Sequence, residues 1–148
     1  MFSRKITALA IAAMLASGAI GVTAQDAFVA PTSTAEAHQL RTDAMKQMGG
    51  LLRSAPNATG ADAVAAATTL LNTFTNLPQM FPEGSSEGTD ALPAIWENWE
   101  TFTGIIETGR SAAETALAAA EAGDTDTYGT ALRTVMGTCG QCHQQFRS

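Results

Sequence analysis

The sequence contains very little cysteine. Cys139 and Cys142 are the two cysteines among its 148 residues, and since both lie in one short motif, none is left for a disulfide framework. The fold must therefore be stabilised by its apolar core and by what the motif binds. Histidine is equally scarce, with two residues in the chain, so a zinc site with four ligands would be poorly supplied.

Basic residues are also few, with eight Lys and Arg against fourteen Asp and Glu. Nucleic-acid phosphates would repel a chain of this charge, so nucleic acid is not an expected partner. Long apolar runs are limited to residues 6–20. No second run is long enough to span a bilayer, so the mature protein is not expected to lie in a membrane.

The apolar run belongs to a candidate secretory signal over residues 1–24. Arg4 and Lys5 supply its basic start, and a small-residue pattern predicts cleavage after Ala24. An uncleaved anchor is the alternative, but small residues interrupt the run and it is short for a bilayer span. Cleavage removes two basic residues and no acidic ones, so the formal charge moves from −6 to −8. The mature part, residues 25–148, has the length of one domain, and we predict that it is exported to the periplasm.

A motif close to the C-terminus carries the chemistry of the chain. Cys139, Cys142 and His143 have the Cys-x-x-Cys-His spacing of a c-type haem attachment site. On a helix, positions i, i+3 and i+4 share a face, so both thiols and the imidazole point the same way. Two thioethers can then hold one porphyrin while His143 serves as the proximal axial ligand of the iron. We therefore predict one covalently attached haem c.

Three other interpretations of the cysteine pair are open on sequence grounds. A thioredoxin-type dithiol needs its first cysteine at a helix N-terminus, where the thiol pKa is lowered, whereas this pair lies near a helix end. A disulfide at this spacing within a helix would strain the bond geometry. A zinc site would need two more ligands, and His38 is the one other histidine. The export signal favours haem, since covalent haem attachment takes place outside the bacterial inner membrane.

Four amphipathic segments account for most of the mature chain, and no strand-like alternation is present. Ser33 and Glu36 have the spacing of a capping box, Pro78 ends the second segment, Gly123 stops the third and Asp124 caps the fourth. The predicted helices cover residues 34–53, 61–76, 93–122 and about 125–147. We predict an all-α antiparallel four-helix bundle with a covalent haem site at its C-terminal end.

The bundle predicts which residues meet at the haem. If the helices alternate in direction, the first half of helix one lies beside the end of helix four, and Arg41 and Met45 lie across the haem from His143. Arg41 could pair with a haem propionate or lie at the surface and pair with Glu36. The remaining side chains are predicted to pack or to be solvated. Trp96, Trp99 and Phe146 are expected in the core or haem pocket, and His38 on an exposed helix face.

The chain resembles the class II c-type cytochromes, the cytochrome c-prime family, which place the haem motif at the end of a four-helix bundle. Arg41 followed four residues later by Met45 is similar to the family's helix-one pattern. Residues 80–85 and 90–96 resemble its connection between the second and third helices, and Arg147, four residues after His143, completes its C-terminal signature. The similarity spans essentially the whole mature chain.

The resemblance implies roles for particular residues. It implies thioether attachment at Cys139 and Cys142, axial ligation by His143 and a distal role for Met45 as candidate sixth ligand. The family usually has glutamine after the helix-one arginine, and Thr42 stands at that cofactor-binding position here. Haem-proximate roles are implied for Arg41, Asp90 and Arg147.

Function depends on Met45. As a soft thioether ligand it would give a six-coordinate electron carrier with a raised potential. As an apolar plug it would leave five-coordinate iron, to which nitric oxide or carbon monoxide could bind. We predict one-electron transfer with a redox partner protein, gas scavenging or sensing as the alternative, and a haem-free helical binding module as a third hypothesis. An enzyme is not expected, because no acid–base pair or nucleophile accompanies the motif. The homodimer that the family often forms is compatible with the small residues of the first two helices.

Overall fold

The computed structural model describes residues 28–148, so the predicted signal at residues 1–24 lies outside the described part of the chain. Two short 3-10 turns, Ala55–Asn57 and Leu77–Met80, follow the first two helices. Between residues 28 and 148, extended pairing is limited to one isolated bridge between Ala91 and Arg147. The α-helices are α1 (Thr34–Ser54), α2 (Gly60–Asn76), α3 (Ala94–Glu97), α4 (Trp99–Ala122) and α5 (Thr125–Phe146).

The four long helices form an antiparallel bundle. α4 packs along both α2 and α5, and α1 packs against α2. Because only two residues connect α4 to α5, these helices must run in opposite directions. The turn contains Gly123, whose φ of 71° is a left-handed conformation that glycine adopts without strain. The end of α5 is thereby returned to the level of the start of α1.

Local signals define the helix starts. Ser33 caps α1, since its hydroxyl accepts a hydrogen bond from the Glu36 backbone N–H at 3.2 Å. The carboxylate of Glu36 reaches back one residue further than a capping box requires and accepts from the Thr32 backbone N–H at 2.7 Å. Asp124 caps α5 by accepting from the Thr127 backbone N–H at 3.0 Å.

The predicted third helix is divided in two. Asn98 has φ −126° and ψ 44°, which is outside the helical region, and it separates α3 from α4. Its side-chain amide donates to the carbonyl of Ala94 at 3.2 Å. The Asn98 backbone N–H donates to the same carbonyl at 3.0 Å. α3 therefore ends as a single turn, and the continuous helix predicted over residues 93–122 is wrong at this position.

The core lies between α2, α4 and α5. Leu70, Phe102 and Leu132 are at most 1% exposed. Leu70 lies at the centre because α2 packs more extensively on α4 than on α1. Trp99 differs from expectation, since 39% of it is exposed and its ring covers Phe102 from outside at 5.4 Å between centroids. None of the helices between residues 28 and 148 is long and apolar enough to cross a bilayer.

Candidate haem site

A cleft of about 340 Å³ opens between α1 and the end of α5. This volume lies within the usual range for cofactor and small-molecule sites. Its walls are mainly aromatic and aliphatic, and its mouth is polar. Besides the predicted site residues, the apolar part of the lining contains Phe81, Ala91, Ile95, Phe102 and Phe146, and the polar part contains His38, Lys46 and Thr89.

The cleft brings together residues that are far apart in the sequence. The sequence predicts that the first half of the first long helix, α1, faces the end of the fourth long helix, α5. The structure agrees with this prediction, because both helices line the same cleft. Cys139 is not part of the lining; it lies one helical turn before Cys142, and its thiol is directed at the Val135 carbonyl oxygen at 3.6 Å. The predicted site residues that line the cleft are Arg41, Thr42, Met45, Asp90, Cys142, His143 and Arg147.

Burial determines the protonation of the motif before any haem is attached. It raises the pKa of the Cys142 thiol to about 11, with a smaller contribution from the neighbouring Cys139, whose own pKa burial also raises. Both thiols are therefore protonated near neutral pH. A catalytic dithiol requires a readily formed thiolate, so this environment disfavours the thioredoxin-type interpretation. In the structure the two cysteines are free, not bonded as a disulfide.

His143 has the opposite shift. Burial lowers the pKa of its imidazole, and the positive charge of Arg147 lowers it further. A neutral imidazole retains a lone pair for a metal. Within residues 28–148, no three His, Cys, Asp or Glu side chains lie close enough to hold a metal ion by themselves. His143 is therefore suited to act as a single protein ligand to a metal.

Arg41 is a buried cation at the cleft. It is only 6% exposed, and this burial lowers the pKa of its guanidinium. Its Nη1 and Nη2 groups donate to the hydroxyl and the carbonyl oxygen of Ser85 at 2.9 and 2.8 Å. No carboxylate between residues 28 and 148 pairs with it, and Glu36, the alternative partner considered from the sequence, bonds Thr32 instead. A buried positive charge of this kind calls for an anion in the cleft.

The residues present fit a haem. The apolar wall suits the faces of a porphyrin, and the unmatched charge of Arg41 suits one of its carboxylates. Cys142 and His143 lie on the same wall, as attachment and ligation by one helix would require. Met45 is half-buried on α1 and lines the cleft together with them.

Residues 81–93, which we call the connection, close one side of the cleft. The backbone N–H of Leu92 donates to the Phe146 carbonyl at 3.0 Å, and that of Ser148 donates to the Asp90 carbonyl at 3.0 Å. Arg147 and Asp90 also form an ion pair at 3.0 Å, in which both side chains are more than half exposed. Asp90 and Arg147, two of the three charged residues for which the resemblance implies roles near the haem, thus bind each other in the lining of the cleft.

Sequence reasoning missed Ser85 as a site residue. It is 1% exposed and holds Arg41 from a position 44 residues away. Phe81, which lies in the segment 80–85 that resembles the family, stacks under the Arg41 guanidinium at 4.8 Å, and its carbonyl accepts from the Trp96 indole N–H at 3.2 Å. Contacts over such separations leave no periodic signal in the sequence.

A larger hollow of about 690 Å³ between α4 and α5 has different chemistry. It contains neither cysteine nor histidine, and threonines form much of its lining. The hydroxyls of Thr108, Thr115 and Thr130 already donate to carbonyls of their own helices. Without a thiol or an imidazole this hollow cannot attach or ligate a haem, so the smaller cleft is the candidate haem site.

Comparisons with known proteins agree with this site. The sequence profile of the family described as Cytochrome C' matches residues 31–147. Cytochrome c-556 of Agrobacterium tumefaciens is 39% identical over 114 residues, which cover 72% of this chain and 93% of that protein. Cytochrome c' of Rhodospirillum rubrum is 36% identical over 109 residues, which cover 70% of this chain and 71% of that protein. Among solved structures, the nitric oxide complex of a mutant cytochrome c prime from Alcaligenes xylosoxidans superposes with a TM-score of 0.72 at 26% identity, covering 80% of this chain and 98% of the other.

Proposed function

The chain belongs to the cytochrome c' family and carries one covalent haem c, and from this premise we propose that it is a periplasmic one-electron carrier. When bound, haem supplies an iron atom that alternates between Fe(III) and Fe(II). Cys139 and Cys142 are proposed to attach it, because two thioethers need two cysteines and the sequence has two. His143 is proposed as the proximal ligand.

The surrounding residues are proposed to set the environment of that iron. The buried side chains of Phe102 and Phe146 exclude water from the cleft, which lowers the local dielectric and strengthens nearby charges. Arg41 is proposed to bind a haem carboxylate, because no carboxylate between residues 28 and 148 pairs with its charge. Asp90 and Arg147 hold the C-terminal tail against the connection beside the haem ligand.

The observation that carries the proposal is the presence of Met45 in the same cleft as His143. A thioether is a soft ligand that would complete the coordination of the iron and favour Fe(II). A saturated iron transfers electrons without exchanging ligands. No enzymatic turnover is proposed for such a site.

Absorption spectroscopy of the holoprotein tests the proposal. We expect low-spin spectra that carbon monoxide does not alter, and high-spin spectra that it does alter for both Met45→Ala and Met45→Leu. The leucine variant keeps the volume of the side chain and removes the sulfur, so it separates ligation from packing. Met136→Ala is the matched control, since this methionine on α5 is 40% exposed and does not line the cleft. A low-spin spectrum that persists in Met45→Leu would remove Met45 as ligand.

A second candidate function is the binding of a small gas. A mutant of a structural relative was solved as its nitric oxide complex, and Met45 is only half-buried, so it could act as a displaceable apolar plug. A high-spin wild-type spectrum that shifts with carbon monoxide would favour this candidate over electron transfer. The redox partner proposed above would then not be needed.

Export is part of the proposal. Residues 1–24 are proposed to be removed during export to the periplasm, where haem attachment takes place. Mass spectrometry of protein made in a host with haem-ligation machinery should give a chain that starts at Gln25 and is heavier by one haem. A mature chain with the mass of its amino acids alone would contradict both the attachment and the function.

A further inference from the structure

Ser85 is the most deeply buried polar residue between residues 28 and 148, and it binds Arg41 without itself lining the cleft. Ser85 is 1% exposed, although it belongs to the connection, which contains no regular helix. Its hydroxyl and its carbonyl oxygen both accept hydrogen bonds from Arg41, at 2.9 and 2.8 Å. One residue of the connection therefore binds two separate nitrogens of a single guanidinium, which fixes both the position and the rotation of that group.

The surrounding backbone holds Ser85 in this position. The Ser85 N–H donates to the Pro82 carbonyl at 3.2 Å, which closes a turn. Gly84 has φ 75° in this turn, a value that L side chains rarely adopt. The Phe81 ring lies 4.8 Å from the guanidinium carbon and restrains Arg41 from another side. The turn and the ring together form a fixed seat for Arg41.

These contacts leave some N–H groups of the Arg41 guanidinium without a hydrogen-bond acceptor among residues 28–148. Arginine carries five N–H donors, and Ser85 receives two hydrogen bonds from them. Among residues 28–148, Arg41 donates to no side chain or backbone group besides Ser85, and it lines the cleft. We propose that Ser85 is a positioning residue that holds the Arg41 guanidinium at the haem and so sets the haem reduction potential, an inference that rests on the function proposed above.

The direction of the effect follows from charge. Reduction of Fe(III) adds one electron to the site, and a positive charge held nearby stabilises the added electron. Burial of Arg41 strengthens this interaction, because the dielectric is lower than in water. Loss of the Ser85 hydroxyl removes the Nη1 hydrogen bond but leaves the one to the carbonyl. The guanidinium then samples more positions, and the average stabilisation of the reduced state falls.

A double-mutant cycle in the holoprotein tests the inference, with the reduction midpoint measured by spectroelectrochemistry. We expect Arg41→Gln to lower the equilibrium constant for reduction about tenfold, which is about 59 mV for one electron, and Ser85→Ala to lower it about threefold. In the Arg41→Gln background, Ser85→Ala should have no further effect, since its action passes through the arginine. Arg41→Met replaces Arg41→Gln if the amide variant does not accumulate with haem.

Ser86→Ala is the matched control in the same connection. The Ser86 side chain makes no bond to Arg41, and its carbonyl accepts from the Thr89 N–H at 3.0 Å, so this change should leave the potential unaltered. An unchanged potential in Ser85→Ala, or an equal shift in both backgrounds, would overturn the positioning role while leaving the proposed function intact. An unchanged potential in Arg41→Gln would instead refute the placement of Arg41 at the haem and the inference with it.

Discussion

Gly109 provides the sharpest test of the helix packing behind the cleft. It lies in the middle of α4, where the Phe74 ring of α2 packs directly on its backbone. A Cβ at position 109 would lie 2.6 Å from Cζ and 2.8 Å from Cδ1 of that ring, and it would also overlap Cε1. Such separations are far inside van der Waals contact. Because Phe74 is 4% exposed, its ring has little room to move.

The change in the free energy of unfolding on Gly109→Ala is the difference between two opposing contributions. Forcing an extra methyl group into a packed core costs about 1–3 kcal/mol. Replacing glycine by alanine inside a helix returns about 1 kcal/mol through helix propensity. We therefore expect Gly109→Ala to lower the free energy of unfolding by up to about 2 kcal/mol. Urea titration of the holoprotein, followed by far-ultraviolet circular dichroism, measures this difference.

Gly104→Ala is the matched control, because Gly104 lies in the same helix and a Cβ there meets nothing within 4 Å. The packing term is absent at this position, so this variant should be more stable than wild type by about 0.5–1 kcal/mol. Equal stabilisation by both substitutions would refute the close contact between Phe74 and Gly109. Recovery of stability in Gly109→Ala by a second change, Phe74→Leu, would support it.

Three further predictions concern single side chains. The buried hydroxyl of Tyr128 has no hydrogen-bond partner among residues 28–148, so Tyr128→Phe should raise the free energy of unfolding by about 1 kcal/mol in urea titrations; a loss of stability would show that the hydroxyl is satisfied. The Thr127 backbone N–H lowers the pKa of Asp124 below its ordinary 3.8. The cap therefore stabilises the folded protein fully above pH 3.8, and this stabilisation is lost as the pH falls through the lower pKa of the folded state. Asp124→Ala should therefore lower the Tm at pH 7, and its Tm should converge with that of wild type in strong acid; a constant difference would argue against the cap. Asp90→Asn removes an exposed ion pair whose backbone neighbours remain bonded, so it should cost less than about 1 kcal/mol, and a loss above about 2 kcal/mol would contradict this.

Sequence reasoning succeeded where the cause was local. The Ser33 and Asp124 caps act over three residues, and the haem cofactor, which membership of the family supports, was predicted from a five-residue motif and the export signal. It failed at Asn98, because helix periodicity continues on both sides of a break that is confined to the backbone conformation of one residue. It also gave no sign that Ser85 would hold Arg41. That contact depends on how the connection folds back on α1, which is a property of the tertiary structure.

The connection is tied to a different helix at each end. Ser85 binds α1 through Arg41, and Leu92 binds the last residue of α5 through its N–H. Moving α1 away from α5 therefore breaks bonds at one end or the other. The amide proton of Leu92 can exchange with deuterium only when its own bond opens. Its exchange rate therefore reports how often that end of the connection separates from α5.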